Sequence, residues 1–258
     1  MSIKHRKLFY INSRNRTDGA DASSCSIVLE IPPHEVFTHV CVIAANIPKS
    51  YYLVQTGYNT FTLVENGTNI VVTIPAGNYN VISFRTSIAT LLTAASTHGW
   101  VYTCTYPPSS GVQTGKFTFS VAGNAGLQPS FIFTTNVYER FGFGANTTQV
   151  FVADSLTSTN VVKFQLEDAL YLHSDIVTDA GGDILQELYT SGTSDFGIIS
   201  YRSNEYQVHS KPIAHGTSNV YRFTITDEDD RVMNLNGLDW VATIMVYCEN
   251  KPLTISMT

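Results

Sequence analysis

Charged side chains are scarce in this sequence of 258 residues. Asp, Glu, Lys and Arg make up 14% of it, against roughly 25% in an ordinary soluble domain. Hydrophobic residues make up 43%, which is ample for a core. A surface with so little charge suits burial against other protein chains, and we expect that use for it. A monomeric β domain with a neutral polar surface is the alternative that the composition leaves open.

Cysteine pairs and long hydrophobic runs are missing as well. The four cysteines, Cys25, Cys41, Cys104 and Cys248, are dispersed in apolar or β-like runs and form no CxxC pair. Thiols in such places behave as small hydrophobic side chains, which predicts a reducing compartment. The apolar run Leu8–Ile11 is too short for a signal-peptide core, and no run reaches transmembrane length. The sequence therefore predicts an intracellular, soluble protein without a membrane span.

The motifs of common enzymes and metal sites are also missing. There is no GxSxG, GxxxxGK[ST] or GxGxxG. The segment His34–His39 has one residue too many for the HExxH zinc motif, and neighbours in His173–Asp175 would point to opposite faces of a strand. The acids at Asp227–Asp230, and at Asp18 and Asp21, are typical of solvated turns. The sequence therefore predicts no catalytic residue, no cofactor and no metal, and a protein that is not an enzyme.

Aromatic and β-branched residues are abundant, and their spacing is that of strands. The sequence has 14 Tyr, 14 Phe and 2 Trp, residue types enriched in β-sheets. Near the end of the chain, Tyr221, Phe223 and Ile225 alternate with polar residues, and an apolar run covers Trp240–Tyr247. The alternation predicts a half-buried strand, and the apolar run predicts a strand covered on both faces. We predict an all-β protein built as a β-sandwich.

One segment departs from this pattern and predicts a helix. Apolar residues recur at spacings of three and four between Ser83 and Ala95, which places them on one face of a helix. A helix this short is held by packing rather than by its own propensity. We therefore expect one short helix packed against a sheet.

Positive charge is concentrated at the beginning of the chain. The net charge is −6, yet the first 16 residues carry five basic residues and no acid, which leaves 10 basic against 21 acidic residues, or −11, in 17–258. We predict a basic N-terminal arm over residues 1–22, followed by one domain over residues 23–258 with an insertion or long loops within 107–195. Such an arm contacts an acidic neighbour or nucleic acid, or is simply a solvated terminus. The candidate assembly residues of the arm are Lys4, Arg6, Lys7, Arg14 and Arg16.

Several turn and strand-end motifs occur in an order that resembles a known family. The segments FYINSRNRTDGADASSCSIVL, VIAANIPKSYYLVQTGYNTFTL and VTIPAGNYN, the last just before the predicted helix, resemble the penton proteins of virophages and related polinton-like viruses. The closing FTITDEDDRVMNLNGLDWVATIMV is similar to the end of a capsid jelly roll, with Asp230-Arg231 where a Gly is commoner. Each motif alone is weak, and their shared order across residues 9–249 makes the resemblance specific.

This resemblance implies a fold, a role and a set of partners. The implied fold is a single jelly-roll β-sandwich with one short packed helix and an inserted segment. The implied role is a homopentamer at the vertex of an icosahedral capsid, in the virion, bordered by a double-jelly-roll major capsid protein and made inside the host cell. Non-specific contact between the arm and the genome is a further expectation. Deleting residues 2–16 is then expected to impair assembly and to leave the domain folded.

Two other functions remain open from the sequence. A β-sandwich that binds a receptor or carbohydrate, as an attachment module of a virion, is favoured by tyrosines in loops, namely Tyr51, Tyr52, Tyr58 and Tyr189. A β-sandwich glycosidase has no motif in its favour, and its two carboxylates would have to come from distant strands. Rings without glycan binding favour the capsid role, and glycan binding without rings favours attachment.

Overall fold

The computed structural model describes residues 3–31, 37–107, 112–165, 168–177, 183–205, 208–214 and 218–249. The chain divides into two compact units. One consists of residues 1–51 and 167–258 and is called the discontinuous unit; the other, residues 52–166, is called the inserted unit. Each has its own sheets and its own buried side chains.

Strands account for most of the regular structure in the described part of the chain. They are, in order, β1 (Ile3–Asn12), β2 (Asp18–Asp21), β3 (Ser24–Val28), β4 (His39–Pro48), β5 (Thr60–Glu65), β6 (Thr68–Thr73), β7 (Val101–Thr105), β8 (Thr118–Ala122), β9 (Ser130–Ile132), β10 (Thr148–Val150), β11 (Ser155–Thr157), β12 (Ala169–Ser174), β13 (Ile184–Tyr189), β14 (Ile198–Arg202), β15 (Lys211–Pro212), β16 (Val220–Thr226) and β17 (Val241–Glu249). The helices are α1 (Val81–Ala95) and α2 (Tyr138–Phe141), and a 3-10 turn covers Ser13–Asn15.

The discontinuous unit contains two antiparallel sheets. One has the order β1-β17-β4-β14, with the two-residue β15 also paired to β4, and the other has the order β13-β12-β16-β3-β2. If the short β2 and β15 are set aside and the eight long strands are counted along the chain, the orders are 1-8-3-6 and 5-4-7-2. This is the strand order of a jelly roll. The predicted all-β, jelly-roll sandwich is confirmed.

The alternation predicted for the closing strands produces the core of this unit. Tyr221, Phe223 and Ile225 of β16 are buried, whereas Arg222 between the first two of them and Val220 before them are exposed. The Trp240 ring meets the Phe223 ring edge-on at 6.1 Å between centroids. Its indole Nε1 donates to the carbonyl oxygen of Ala22 at 2.6 Å, so the polar atom of this buried side chain is satisfied.

Strand β17 is covered on both faces along its second half. It lies between β1 and β4, and Ile244 to Tyr247 are all buried although successive side chains point to opposite faces. On one of these faces Met245 and Tyr247 form a small cluster with Cys41. Towards its start, Val241 is exposed on one face. The predicted two-sided burial therefore holds for the second half of the strand.

The inserted unit has a separate core made largely of phenylalanine. Its sheets have the orders β10-β9-β5-β6 and β11-β8-β7, and α1 lies in contact with β7. Helix α1 buries Phe84, Ile88 and Leu92, which confirms the predicted apolar stripe. It begins at Val81, two residues before the predicted start, because the Asn80 side chain caps it by accepting from two backbone amides. The buried phenylalanines are Phe61, Phe84, Phe117, Phe119, Phe131, Phe133, Phe141, Phe143 and Phe151.

The domain limits differ from those predicted. The inserted unit covers residues 52–166, whereas the sequence placed the insertion or long loops within 107–195. Strands β5 and β6 and helix α1 share the aromatic core of the inserted unit, and β12 and β13 pair within a sheet of the discontinuous unit. The alternation of apolar residues is the same in both units, so it does not show which core a strand joins.

Candidate assembly surfaces

Strand β1 occupies the place predicted for the basic arm. It pairs with β17 from Ile3 opposite Glu249 to Asn12 opposite Val241, and it is an edge strand of its sheet. The structure thus places Lys4, Arg6 and Lys7 within the jelly-roll sheet rather than in an arm outside it. The physical reason is the hydrogen bonding between β1 and β17. The sequence analysis missed this strand because the residues after it are polar and its partner lies more than 200 residues away.

The five predicted arm residues have different surroundings. Lys4 lies in β1, and Arg6 in the same strand is exposed. The Lys7 ammonium donates to the carbonyl oxygen of Glu30 at 2.8 Å and lies 5.0 Å from the centre of the Phe9 ring. Lys7 therefore packs along its own domain, and Arg6 is available to a neighbour.

Arg14 and Arg16 converge on one carboxylate. Arg14 Nε lies 3.2 Å from Asp239 Oδ2, and Arg16 Nη1 lies 3.4 Å from Asp239 Oδ1. The Ser13 hydroxyl donates to Asp239 at 2.9 Å and also accepts from the Trp240 amide. The hydrogen bond from Ser13, together with Arg14 and Arg16, lowers the pKa of the Asp239 carboxyl. These two arginines tie the start of the chain to the loop before β17.

Replacing Asp239 by Asn is expected to reduce the amount by which the free energy of unfolding falls when the pH is lowered. A lowered pKa stabilises the folded state above the unfolded-state pKa of about 3.9, and this contribution disappears as the pH falls through the folded-state pKa. Urea unfolding at pH 7 and pH 3 should show a smaller loss on acidification for Asp239→Asn than for the unchanged protein. The exposed Asp195→Asn serves as the control. Equal losses in all three proteins would show that Asp239 does not contribute in this way.

The outer face of the β1-β17-β4-β14 sheet is the main candidate for contact with other chains. It is defined here by Leu8, Tyr10, Val241, Asn46 and Ile198, which are all exposed. The strand register places them on one side: Tyr10 lies opposite Thr243, Val241 opposite Asn46, and Ile198 opposite Pro48. Tyr10 is 80% exposed. Large exposed apolar side chains gathered on one sheet face mark interaction surfaces.

The loop between β13 and β14 adds an exposed aromatic ring beside this face. Phe196 is 69% exposed and has a φ of 62°, a left-handed conformation that is rare for a bulky side chain. Its amide donates to the carbonyl oxygen of Lys49 at 3.0 Å, and the Lys49 ammonium donates to the carbonyl oxygen of Thr193 at 2.7 Å. The loop is therefore held from two sides, which pre-organises Phe196 two residues before Ile198 of the outer face.

The tyrosines proposed for an attachment role are not equally accessible. Tyr51 is fully buried, so it is not available to a ligand. Tyr52 is half-buried, Tyr58 is partly exposed, and Tyr189 at the end of β13 is strongly exposed. Of the four, Tyr189 is therefore the best placed for binding.

The acidic turn after β16 has three exposed carboxylates and one buried carboxylate that holds the turn together by hydrogen bonds. Glu228, Asp229 and Asp230 are exposed, as predicted, but Asp227 is buried. Its carboxylate accepts from the amides of Asp229 and Arg231 and from Arg231 Nε at 2.6 Å. Asp230 has a φ of 58°, which explains why a Gly is expected there.

The remaining polar motifs show no convergent site in the described residues. His173 contacts Asp183 and Thr226, whereas the Ser174 hydroxyl accepts from the Ile176 amide, so these two neighbours point to different partners. His34 lies outside the described residues, and His39 hydrogen-bonds to Thr38. Within the described ranges, no group of three or more His, Cys, Asp or Glu could hold a metal ion. Neither helix found there is long and apolar enough to span a bilayer.

No family model matches the sequence, and no curated protein matches it. Among solved structures, the chain is similar to the penton protein of mavirus, with 11% identity, a TM-score of 0.42 and coverage of 95% of this chain and 99% of that chain. It is also similar to a chain in the cryo-EM structure of the Sputnik virophage, with 13% identity, a TM-score of 0.40 and coverage of 94% and 97%. The first is the kind of protein that the sequence motifs resemble. At such low identities and TM-scores, neither alignment defines the fold, which follows from the chain's own strand order.

Proposed function

We propose that this chain is a structural protein of a virion and that five copies form the vertex of an icosahedral capsid. The strand order of the discontinuous unit carries the proposal, because double-sheet jelly rolls are a common architecture of viral capsid domains. Lectins share this architecture, so the fold alone does not decide the function. The order of the penton-like motifs along the sequence favours the capsid role.

A pentamer requires one surface of each copy to contact a different surface of the next. Such a heterologous interface closes into a ring when the rotation between copies fits. The outer face and Phe196 supply apolar and aromatic side chains on rigid backbone, as interface centres require. We propose that they form one side of the contact between copies.

The other proposed partners are the major capsid protein and the genome. A double-jelly-roll major capsid protein would border each pentamer. Non-specific contact with the genome is proposed for Lys4 and Arg6 only, because Arg14 and Arg16 are paired with Asp239 and Lys7 binds the Glu30 carbonyl oxygen. The virion, assembled from proteins made in the host cell, is the proposed location.

The outer face is tested by placing charge on it. Tyr10→Asp combined with Phe196→Asp is expected to leave the chain folded and to abolish fivefold density in particles examined by cryo-electron microscopy. The reason is that each substitution puts a carboxylate into an interface that excludes water. Native mass spectrometry of the purified chain, alone and with the major capsid protein, follows ring formation in parallel.

Val71→Asp is the matched control, since Val71 is also strongly exposed but lies on β6 of the inserted unit. It should leave vertex occupancy unchanged. Normal vertices from the double variant would exclude the outer face as the contact. Particles whose fivefold density does not fit one jelly roll per copy would overturn the capsid-vertex function itself.

A further inference from the structure

A cleft of 470 Å³ lies along β13, the terminal strand of one jelly-roll sheet, and reaches Tyr201 of β14, the terminal strand of the other. The consecutive residues Ile184, Leu185, Gln186 and Glu187 all line it. Successive side chains of a strand point to opposite faces of the sheet, so consecutive residues can share one cleft only along the edge of their backbone. The cleft therefore follows the free edge of β13.

This edge presents backbone groups that can pair with another strand. Just beyond β13, the Thr190 amide donates to the carbonyl oxygen of Asp168 at 2.9 Å. Because hydrogen-bonded positions alternate along an antiparallel pair, Glu187 and Tyr189 direct their amide and carbonyl groups away from β12 and towards the cleft. The Glu187 carbonyl oxygen already accepts from Gln186 Nε2 at 2.8 Å. Among the described strands, none pairs with β13 on this side.

The side chains beside the edge are apolar and accessible. Tyr189 is 68% exposed and Val208 is 71% exposed, and both line the cleft. Ile184 and Tyr201 also line it and are half-buried. An open strand edge flanked by large apolar side chains is a template for an added strand, whose alternate side chains then pack on them.

The charges along the cleft are of both signs. Apart from tyrosines, the titratable groups of its lining are Glu187, His209 and Lys211. The Glu187 carboxylate opposes the Lys211 ammonium, Glu228 adds negative charge near Tyr171, and the exposed His209 adds positive charge when it is protonated. A segment without charged side chains meets this mixture without placing like charges together.

The sequence supplies such a segment directly after β17. Residues 250–258 lie outside the described residues and read NKPLTISMT. Leu253, Ile255 and Met257 alternate with threonine and serine, the period of two that predicts a strand with one apolar face. Residues 252–258 carry no charged side chain. A strand of this kind requires a partner for its backbone and a cover for its apolar face.

The strand register places the end of β17 within reach of the cleft. Tyr247 of β17 and Pro212 of β15 both lie opposite His39 of β4, so they are two strand spacings, or about 10 Å, apart. Lys211, the neighbour of Pro212, lines the cleft. The nine residues 250–258 span roughly 30 Å when extended. This length is sufficient to cross from β17 to the cleft and to continue beside β13.

We propose that residues 252–258 add to the free edge of β13 as a strand, in the cleft of their own chain. Leu253, Ile255 and Met257 pack on the apolar side chains of the cleft, and the backbone pairs with Glu187 and Tyr189. The added strand covers an edge that is otherwise open to pairing with other chains. This inference does not depend on the capsid role.

Hydrogen exchange of the full chain, measured by NMR, tests the added strand. The Glu187 and Tyr189 amides are expected to be protected from exchange. In a variant that combines Leu253→Asp with Ile255→Asp, they should exchange about tenfold faster or more, because the added strand no longer holds them. The matched control combines Thr254→Asp with Ser256→Asp, which places the same charge on the polar face and should keep the protection.

The Leu188 amide points towards β12 and reports whether the sheet itself is intact, so it should stay protected in all three proteins. Rapid exchange of the Glu187 and Tyr189 amides in the unchanged chain would overturn the proposal without any variant. Equal acceleration by the two double variants would also contradict it. Native mass spectrometry identifies the source of the strand: an oligomer that dissociates only in the Leu253→Asp, Ile255→Asp variant would show exchange between copies and exclude placement in the same chain.

Discussion

Deletion of residues 2–16 is expected to unfold the discontinuous unit, not to produce a folded domain without an arm. The deletion removes all of β1, together with the buried Ile11 and the Ser13 contacts to Trp240 and Asp239. Strand β17, buried in the middle of its sheet, would become an edge. The expected loss is about 5 kcal/mol or more, comparable with the whole stability of many domains.

Fluorescence can follow this loss because the sequence has two tryptophans. Trp240 belongs to the discontinuous unit and Trp100 to the inserted unit, so a Trp100→Phe background reports on Trp240 alone. In that background, urea unfolding of the deletion variant should show no cooperative transition. The control replaces Lys4, Arg6 and Lys7 by Gln, which removes charge and keeps the strand, and it should unfold with nearly the original midpoint. An unchanged midpoint after deletion would falsify the role of β1 as part of the core sheet. It would support the prediction that these residues form an arm outside the domain.

Replacement of Glu65 by Ala is expected to destabilise the inserted unit by about 3 kcal/mol or more. Glu65 is fully buried and accepts three hydrogen bonds: from the Tyr102 hydroxyl at 2.8 Å, the Ser96 hydroxyl at 3.0 Å and the Thr97 amide at 3.2 Å. Alanine would leave these donors without their acceptor and open a cavity beside them. Burial is the larger cause, and the hydrogen bond to Glu65 the smaller one, of a raised pKa of the Tyr102 hydroxyl. The Glu65 carboxylate and this hydroxyl therefore interact closely.

Two further variants separate charge from hydrogen bonding at this site. Glu65→Gln keeps an acceptor oxygen and should lose less stability than Glu65→Ala, and Tyr102→Phe removes one donor. Glu65→Ala, Tyr102→Phe and the variant that combines them form a double-mutant cycle. A non-zero interaction energy in this cycle measures how strongly the two residues are coupled. Urea unfolding is followed through Trp100 in a Trp240→Phe background. A midpoint for Glu65→Ala equal to that of the unchanged protein would mean that the buried hydrogen bonds contribute nothing to stability.

Local patterns in the sequence were sufficient for the elements themselves. The alternation at Tyr221, Phe223 and Ile225 predicts which side of β16 is buried, and the stripe through Phe84, Ile88 and Leu92 predicts α1. Both patterns depend only on the period of the backbone, two residues for a strand and 3.6 for a helix. The motif order also predicts a jelly roll, which the pairing of the eight long strands confirms.

The candidate surfaces could be predicted only in part. Tyr189 was named from the sequence and is strongly exposed, whereas Tyr51 was named beside it and is buried. Phe196 has no sequence signal beyond a polar, glycine-containing loop, and its exposure depends on the backbone contacts with Lys49.

By itself, the sequence determined the class of the fold, the faces of its strands and helix, and a resemblance to a family of capsid proteins. Only the tertiary structure decided that the basic start of the chain is strand β1, that residues 52–166 form a unit of their own, and that Asp239 holds Arg14 and Arg16. The physical reason is distance along the chain. Alternation and turn chemistry act between neighbouring residues, whereas the pairing of β1 with β17 joins residues more than 200 positions apart. The local sequence of either strand does not indicate which strand it pairs with.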